Sequence, residues 1–172
     1  MSTDKPTSPS FAKEDVRTLR LAIAASQFNP ELANQLLKSS CRSLMAAGVP
    51  KGNIGVIRVP GANELPYVIH QLSQEAWSGL MAIGVVVAGQ TQHHHLIGNT
   101  ITDAFQRTVI ESKTPVINGV IVTENREQAA ARCHPEIGRG PEFASALLSM
   151  AILHEKSAFS PKSLLQGSNE RN

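Results

Sequence analysis

The sequence predicts an α/β protein: a three-layer α/β/α sandwich around a four-stranded parallel sheet. Two observations carry this. Short apolar runs alternate with longer stretches of helical periodicity, so each strand is followed by a crossover helix. The apolar runs are nearly continuous rather than alternating, as in strands covered on both faces.

The elements follow in order. LRLAIAA (19–25) reads as a buried strand ending in small residues. Pro30 opens a helix with Leu32, Leu36, Leu44 and Met45 at helical spacing, and Gly48 stops it. NIGVIRV (53–59) is the second strand, and ANELPYVIHQLSQEA (62–76) the second helix despite Pro66. GLMAIGVVVA (79–88) is the most apolar strand and is placed centrally. Residues 94–112 form a helix with Leu96, Ile97, Ile101, Phe105 and Val109 on one side. PVINGVIVT (115–123) is the fourth strand, followed by helices at 124–133 and 140–155. Residues 1–17 and 157–172 lack periodicity and read as flexible N- and C-terminal segments around a domain at 18–156.

Composition narrows the function classes. A net charge of +2 with 17% charged residues gives no basic stripe, so no nucleic-acid partner is expected. The longest apolar stretch, Leu80 to Ala88, is too short to span a bilayer, so no membrane partner is expected. The first residues carry no apolar signal segment, and the two cysteines, Cys41 and Cys133, stand far apart. The expected location is the cytoplasm, with both thiols reduced.

In open α/β sheets, ligands sit beyond the carboxyl ends of the strands. Those ends are SQFN (26–29), PGANE (60–64), GQTQHHH (89–95) and TEN (123–125). Phe28 either folds back onto the core or stacks on a flat heterocycle. Pro60-Gly61 forces a turn, and Gly61 admits close backbone approach. Glu64 then serves as a helix-start carboxylate or as an acceptor for ligand hydroxyls. Gly89, Gln90 and Thr91 offer backbone amides and a hydroxyl just before a helix, an arrangement that favours an anion such as phosphate.

Three consecutive histidines follow. Consecutive residues do not share a helical face, HExxH spacing is absent, and no neighbouring Cys or acid in the sequence completes a ligand set. No metal is expected. A single histidine suits proton transfer near neutral pH, and His93 is the first after the anion loop. His94 and His95 read as packing or surface residues. Arg132 and Arg139 are either surface arginines or planar donors for phosphate. Gly138 and Gly140 flank Arg139.

Phe28-Asn29, VPGANELP, GQTQH, PVINGV (115–120), TENREQA (123–129) and GPEFASALLSM (140–150) stand together in one chain. In this order they resemble the lumazine synthase family, over about residues 19–155. The resemblance implies a flavodoxin-like fold and a condensation. 5-Amino-6-ribitylaminopyrimidinedione and 3,4-dihydroxy-2-butanone 4-phosphate give 6,7-dimethyl-8-ribityllumazine, a step of riboflavin biosynthesis. Phosphate and water are released, with no cofactor. It also implies a homo-oligomer, a pentamer or a multiple of pentamers, with sites between neighbouring subunits.

Carried over by position, Phe28 stacks on the pyrimidine, while Gly61, Ala62, Asn63 and Glu64 hold the ring and ribityl chain. Val86 and Val87 meet the ring edge. Gly89, Gln90, Thr91 and Arg132 bind phosphate, and His93 transfers protons. Arg139 stands where the family usually has a lysine, near the adjacent subunit's substrate. Asn118 stands where it often has phenylalanine, Ala88 where arginine is frequent, and His95 where Asp or Glu is usual. The loop before Arg139 is one residue shorter. These departures leave one alternative: a catalytically weakened relative that binds flavin or lumazine, or forms shells.

Overall fold

The computed structural model describes residues 11–89 and 93–156, apart from the side chains of Lys13 and His93. Four strands form one parallel sheet in the order β2-β1-β3-β4: β1 Leu21–Ser26, β2 Ile54–Val59, β3 Gly79–Val87 and β4 Val116–Thr123. β1 is hydrogen-bonded on both sides, pairing Leu21 with Ile54 of β2 and with Gly79 of β3. Its six residues are all buried.

Each strand splits its side chains between two cores, as the two-residue strand period requires. On one face, Leu21, Ile23, Met81 and Ile83 pack with Leu36, Leu44 and Leu147 from α2 (Pro30–Ala46) and α6 (Gly140–Glu155). Cys133 of α5 (Arg126–Cys133) joins them. On the other face, Ala22, Ala24, Leu80 and Ala82 pack with Ile69 of α3 (Leu65–Ser73) and with Ile101 and Phe105 of α4 (His93–Ser112). The three-layer parallel architecture is therefore as expected.

Three local differences have physical causes. A short helix α1, Lys13–Arg17, lies within the stretch expected to be an arm, and its Val16 is fully buried in the first core. The second helix is expected from Ala62, yet α3 starts at Leu65 after a 3₁₀ turn over Ala62–Glu64. Pro66 has no amide hydrogen and is tolerated only in a first turn, so it fixes the start. Asn125 rather than Glu124 begins the fifth helix, because its Oδ1 accepts from Gln128 N at 2.9 Å and caps α5.

α2 ends as Gly48 implies. Gly48 adopts φ +111°, Gly48 N donates to Met45 O at 3.0 Å and Val49 N to Leu44 O at 3.1 Å. Among the described residues no helix is long and apolar enough to cross a membrane.

Cys41 and Cys133 are free thiols. Burial pushes the Cys133 thiol from its ordinary 9.0 up to about 11. Because the folded value is the higher one, the thiol's contribution to stability is intact below pH 9.0 and is lost as pH rises through about 11. The reactive species is the thiolate. Native protein at pH 8 is therefore expected to leave Cys133 unlabelled by a disulfide reagent while the half-buried Cys41 reacts slowly. Two fast-labelling thiols without denaturant would contradict this.

Candidate active site

The sheet order places the β1–β3 boundary where the crossovers diverge, one toward β2 and the other toward β4. A crevice opens there at the carboxyl ends of the strands. It holds a cavity of about 390 Å³, within the size range of small-molecule sites.

Each wall comes from a different strand end. Phe28 and Asn29 line it from the turn after β1, and Gly61, Ala62, Asn63 and Glu64 from the turn after β2. Val85, Val86 and Val87 form the β3 wall, with Gly89 beyond it. His94 and Ile97 close it from α4. The structure thus brings together seven predicted binding residues and Gly89. Val85, Asn29, Ile97 and His94 are additional.

The first wall is locked by Asn29. It takes a left-handed φ of 51°, which asparagine tolerates better than most residues, and its Nδ2 donates to Val85 O at 2.9 Å. That bond ties the β1 turn to β3 and leaves Phe28 69% exposed at the cavity. Arg58 braces the same turn from behind. Its guanidinium donates to Asn34 Oδ1 at 2.7 Å and to Ser26 O at 3.1 Å. Gln27 N donates to Val59 O at 2.8 Å, completing the frame under Phe28. Arg58 looked like an ordinary strand residue, because nothing local marks its reach to β1.

Gly61 is extended, so its role is room rather than conformation. A Cβ there would stand 2.9 Å from Glu64 Oε2, so glycine lets the carboxylate fold back toward the cavity. At Gly84, an added Cβ would lie 3.3 Å from Ala62 Cβ, and its absence lets the 3₁₀ turn sit directly on β3.

The α4 end is the second half of the site. His93 is its first residue. Gln90 and Thr91 lie outside the described residues. A Cβ added at Gly89 would meet no atom of the described residues within 4 Å.

The histidines do find an acid, brought near by the sheet although it is distant in the sequence. β3 and β4 are neighbours, and Ala88 N donates to Thr123 O at 2.8 Å. This brings Glu124 against α4. Its Oε2 lies 3.5 Å from His94 Nε2 and its Oε1 3.4 Å from His95 Nε2. His94 is a buried packing residue as expected, 7% exposed, and its ring centroid is 4.0 Å from that of His95.

Three predicted residues stand apart from this cavity. Asn118 pairs with Ala82 in mid-strand, donates to Thr102 Oγ1 at 3.0 Å and accepts from Val120 N at 3.0 Å. Arg132 lies in the last turn of α5 and donates to Gln128 O at 3.2 Å. Arg139 pairs with Glu142 at 2.7 Å, its guanidinium 5.5 Å from the Phe143 ring centroid.

The sequence of residues 18–155 matches the family model described as 6,7-dimethyl-8-ribityllumazine synthase. A protein of that name from Pediococcus pentosaceus is 37% identical over 139 residues, 80% of this chain and 89% of the relative. One from Leuconostoc mesenteroides is 32% identical over 144 residues, 83% of this chain and 92% of the relative. A third, from Neisseria meningitidis, is 39% identical over 119 residues, 69% of this chain and 75% of the relative. The chain that builds this cavity belongs to the 6,7-dimethyl-8-ribityllumazine synthase family.

Proposed function

We infer that this protein condenses 5-amino-6-ribitylaminopyrimidinedione with 3,4-dihydroxy-2-butanone 4-phosphate, releasing phosphate and water and forming 6,7-dimethyl-8-ribityllumazine. The observation that carries this reading is one cavity joining Phe28, Glu64 and the β3 rim to the α4 N-terminus. The flat ring stacks on Phe28 against the Val86-Val87 wall. The ribityl chain reaches Ala62, Asn63 and Glu64, where backbone groups and a carboxylate accept and donate to hydroxyls. The phosphate lies toward Gly89, Gln90 and Thr91, where helix-start amides favour an anion.

Imine formation and phosphate loss both require proton movement, assigned to His93. Holding two reactants in register supplies much of the remaining rate. Donors at the helix start, with Arg132 of a neighbouring subunit, meet the charge that builds on the departing phosphate.

The homo-oligomeric reading has its own support. Asn118, Arg132 and Arg139, which the resemblance carries over as site residues, do not line the cavity of their own chain. In the proposed assembly they complete the cavity of a neighbouring subunit. Val56 and Ile57 of edge strand β2 are 48% and 44% exposed, and Tyr67 on α3 is 71% exposed. Exposed apolar side chains of this kind suit a subunit interface. Pentamers are the proposed unit, working in the cytoplasm on small-molecule substrates.

The test is turnover: both substrates mixed with purified protein, lumazine absorbance followed against the slow uncatalysed background. A rate proportional to protein concentration is expected. No rate, with tight binding of lumazine or flavin, would replace the enzyme with a binding protein on the same fold.

A further inference from the structure

We propose that His94, His95 and Glu124 form a binding site for a borderline divalent transition-metal ion, with Zn²⁺ as the representative. It stands at the mouth of the cavity and is additional to the condensation chemistry.

The donor chemistry selects the ion. Two imidazoles and one carboxylate suit zinc, cobalt or nickel, while Mg²⁺ and Ca²⁺ prefer shells made of oxygen. The spacing fits as well. The two carboxylate oxygens face the two Nε2 atoms at 3.5 and 3.4 Å. Good N–H···O hydrogen bonds are about 2.7–3.2 Å long, so these contacts are loose as hydrogen bonds. Ligand atoms on a tetrahedral zinc with bonds of about 2.0–2.1 Å stand about 3.3–3.4 Å apart, and each Nε2 has one Glu124 oxygen near that separation, a different oxygen for each. A donor atom from each of the three residues lies within 4.8 Å of the other two, within reach of closure by side-chain rotation.

Packing and turn contacts support two of the three residues. His94 is buried, and its ring lies against that of His95 with 37° between their planes. Glu124 follows directly on β4, and its backbone N donates to Gln128 Oε1 at 3.3 Å. Thr123 Oγ1 donates to Asn125 O at 3.0 Å, holding the same turn.

The site is also accessible. His95 and Glu124 are 59% and 61% exposed, and His94 lines the cavity. Three protein ligands leave the fourth position of a tetrahedral ion to water or another ligand.

The test uses the whole protein, stripped with a chelator and titrated with Zn²⁺ by calorimetry, then with Co²⁺ by visible absorption. Expected are one strong equivalent per chain and cobalt bands of low coordination number. Glu124→Gln and His95→Ala each weaken the strong phase at least tenfold, and excess Mg²⁺ does not compete. His70→Ala, on an exposed position of α3, leaves binding unchanged. Both diagnostic positions are exposed, so their variants keep the fold, checked by circular dichroism. No strong equivalent, a strong phase indifferent to Glu124→Gln and His95→Ala, or equal loss in His70→Ala would overturn the site. Binding is read without the condensation, so a negative result leaves the proposed function standing.

Discussion

His93→Ala is expected to lower the turnover of the condensation by about 10²–10⁴-fold, the usual contribution of a positioned general acid–base. The reasoning is positional. His93 is the first residue of α4, between Gly89 and His94, both of which line the cavity. A residue there adjoins helix-start amides that favour an anion, which is where the phosphate is assigned. Imidazole is the side chain suited to taking and giving protons near neutral pH. An alanine at a helix start carries little folding cost, so the melting temperature and the assembly state are expected to hold. Steady-state kinetics against a native-gel control decide it. A fall in kcat with little change in KM marks a transition-state role. Wild-type kcat in the variant would move proton transfer to another group.

The fold was legible because parallel strands covered on both faces must be apolar throughout. LAIAAS and GLMAIGVVV are apolar runs of strand length, and Pro30, Gly48 and Pro66 mark boundaries by stereochemistry. α1 was not legible: five residues, KEDVR, offer a single apolar side chain, Val16, and no period. The cavity was legible wherever one strand end supplies the residue, as with Phe28 and Glu64. It was illegible wherever two strands must be adjacent first. Glu124 meets His94 and His95 only because β3 lies next to β4, and Arg58 reaches Ser26 only because β2 lies next to β1. Strand order is a property of the whole sheet, so no local pattern announces these contacts.

The second large effect concerns the loop between α5 and α6. Gly138→Ala is expected to destabilise the protein by about 1–3 kcal/mol, the usual range for forced overpacking. Gly138 N donates to His134 O at 3.0 Å, and Arg139 N donates to Arg132 O at 2.7 Å, closing the loop on the helix end. His134 Nδ1 accepts from Glu136 N at 3.2 Å and from Ile137 N at 3.3 Å, tightening it further. A Cβ on Gly138 would stand 2.5 Å from Arg132 O and 2.7 Å from His134 N, and would collide with His134 O. All three are backbone atoms, so no rotamer change relieves the clash. The loop must open, and it carries Arg132 on one side and Arg139 on the other. Lost stability is therefore expected to come with impaired use of the phosphorylated substrate, seen as a raised KM in the surviving folded protein. Gly52→Ala is the control: a Cβ there meets nothing within 4 Å, and the change is expected to be nearly neutral. Urea unfolding of both variants measures the difference. Equal midpoints would mean that the α5–α6 loop relaxes freely and does not hold the two arginines in place.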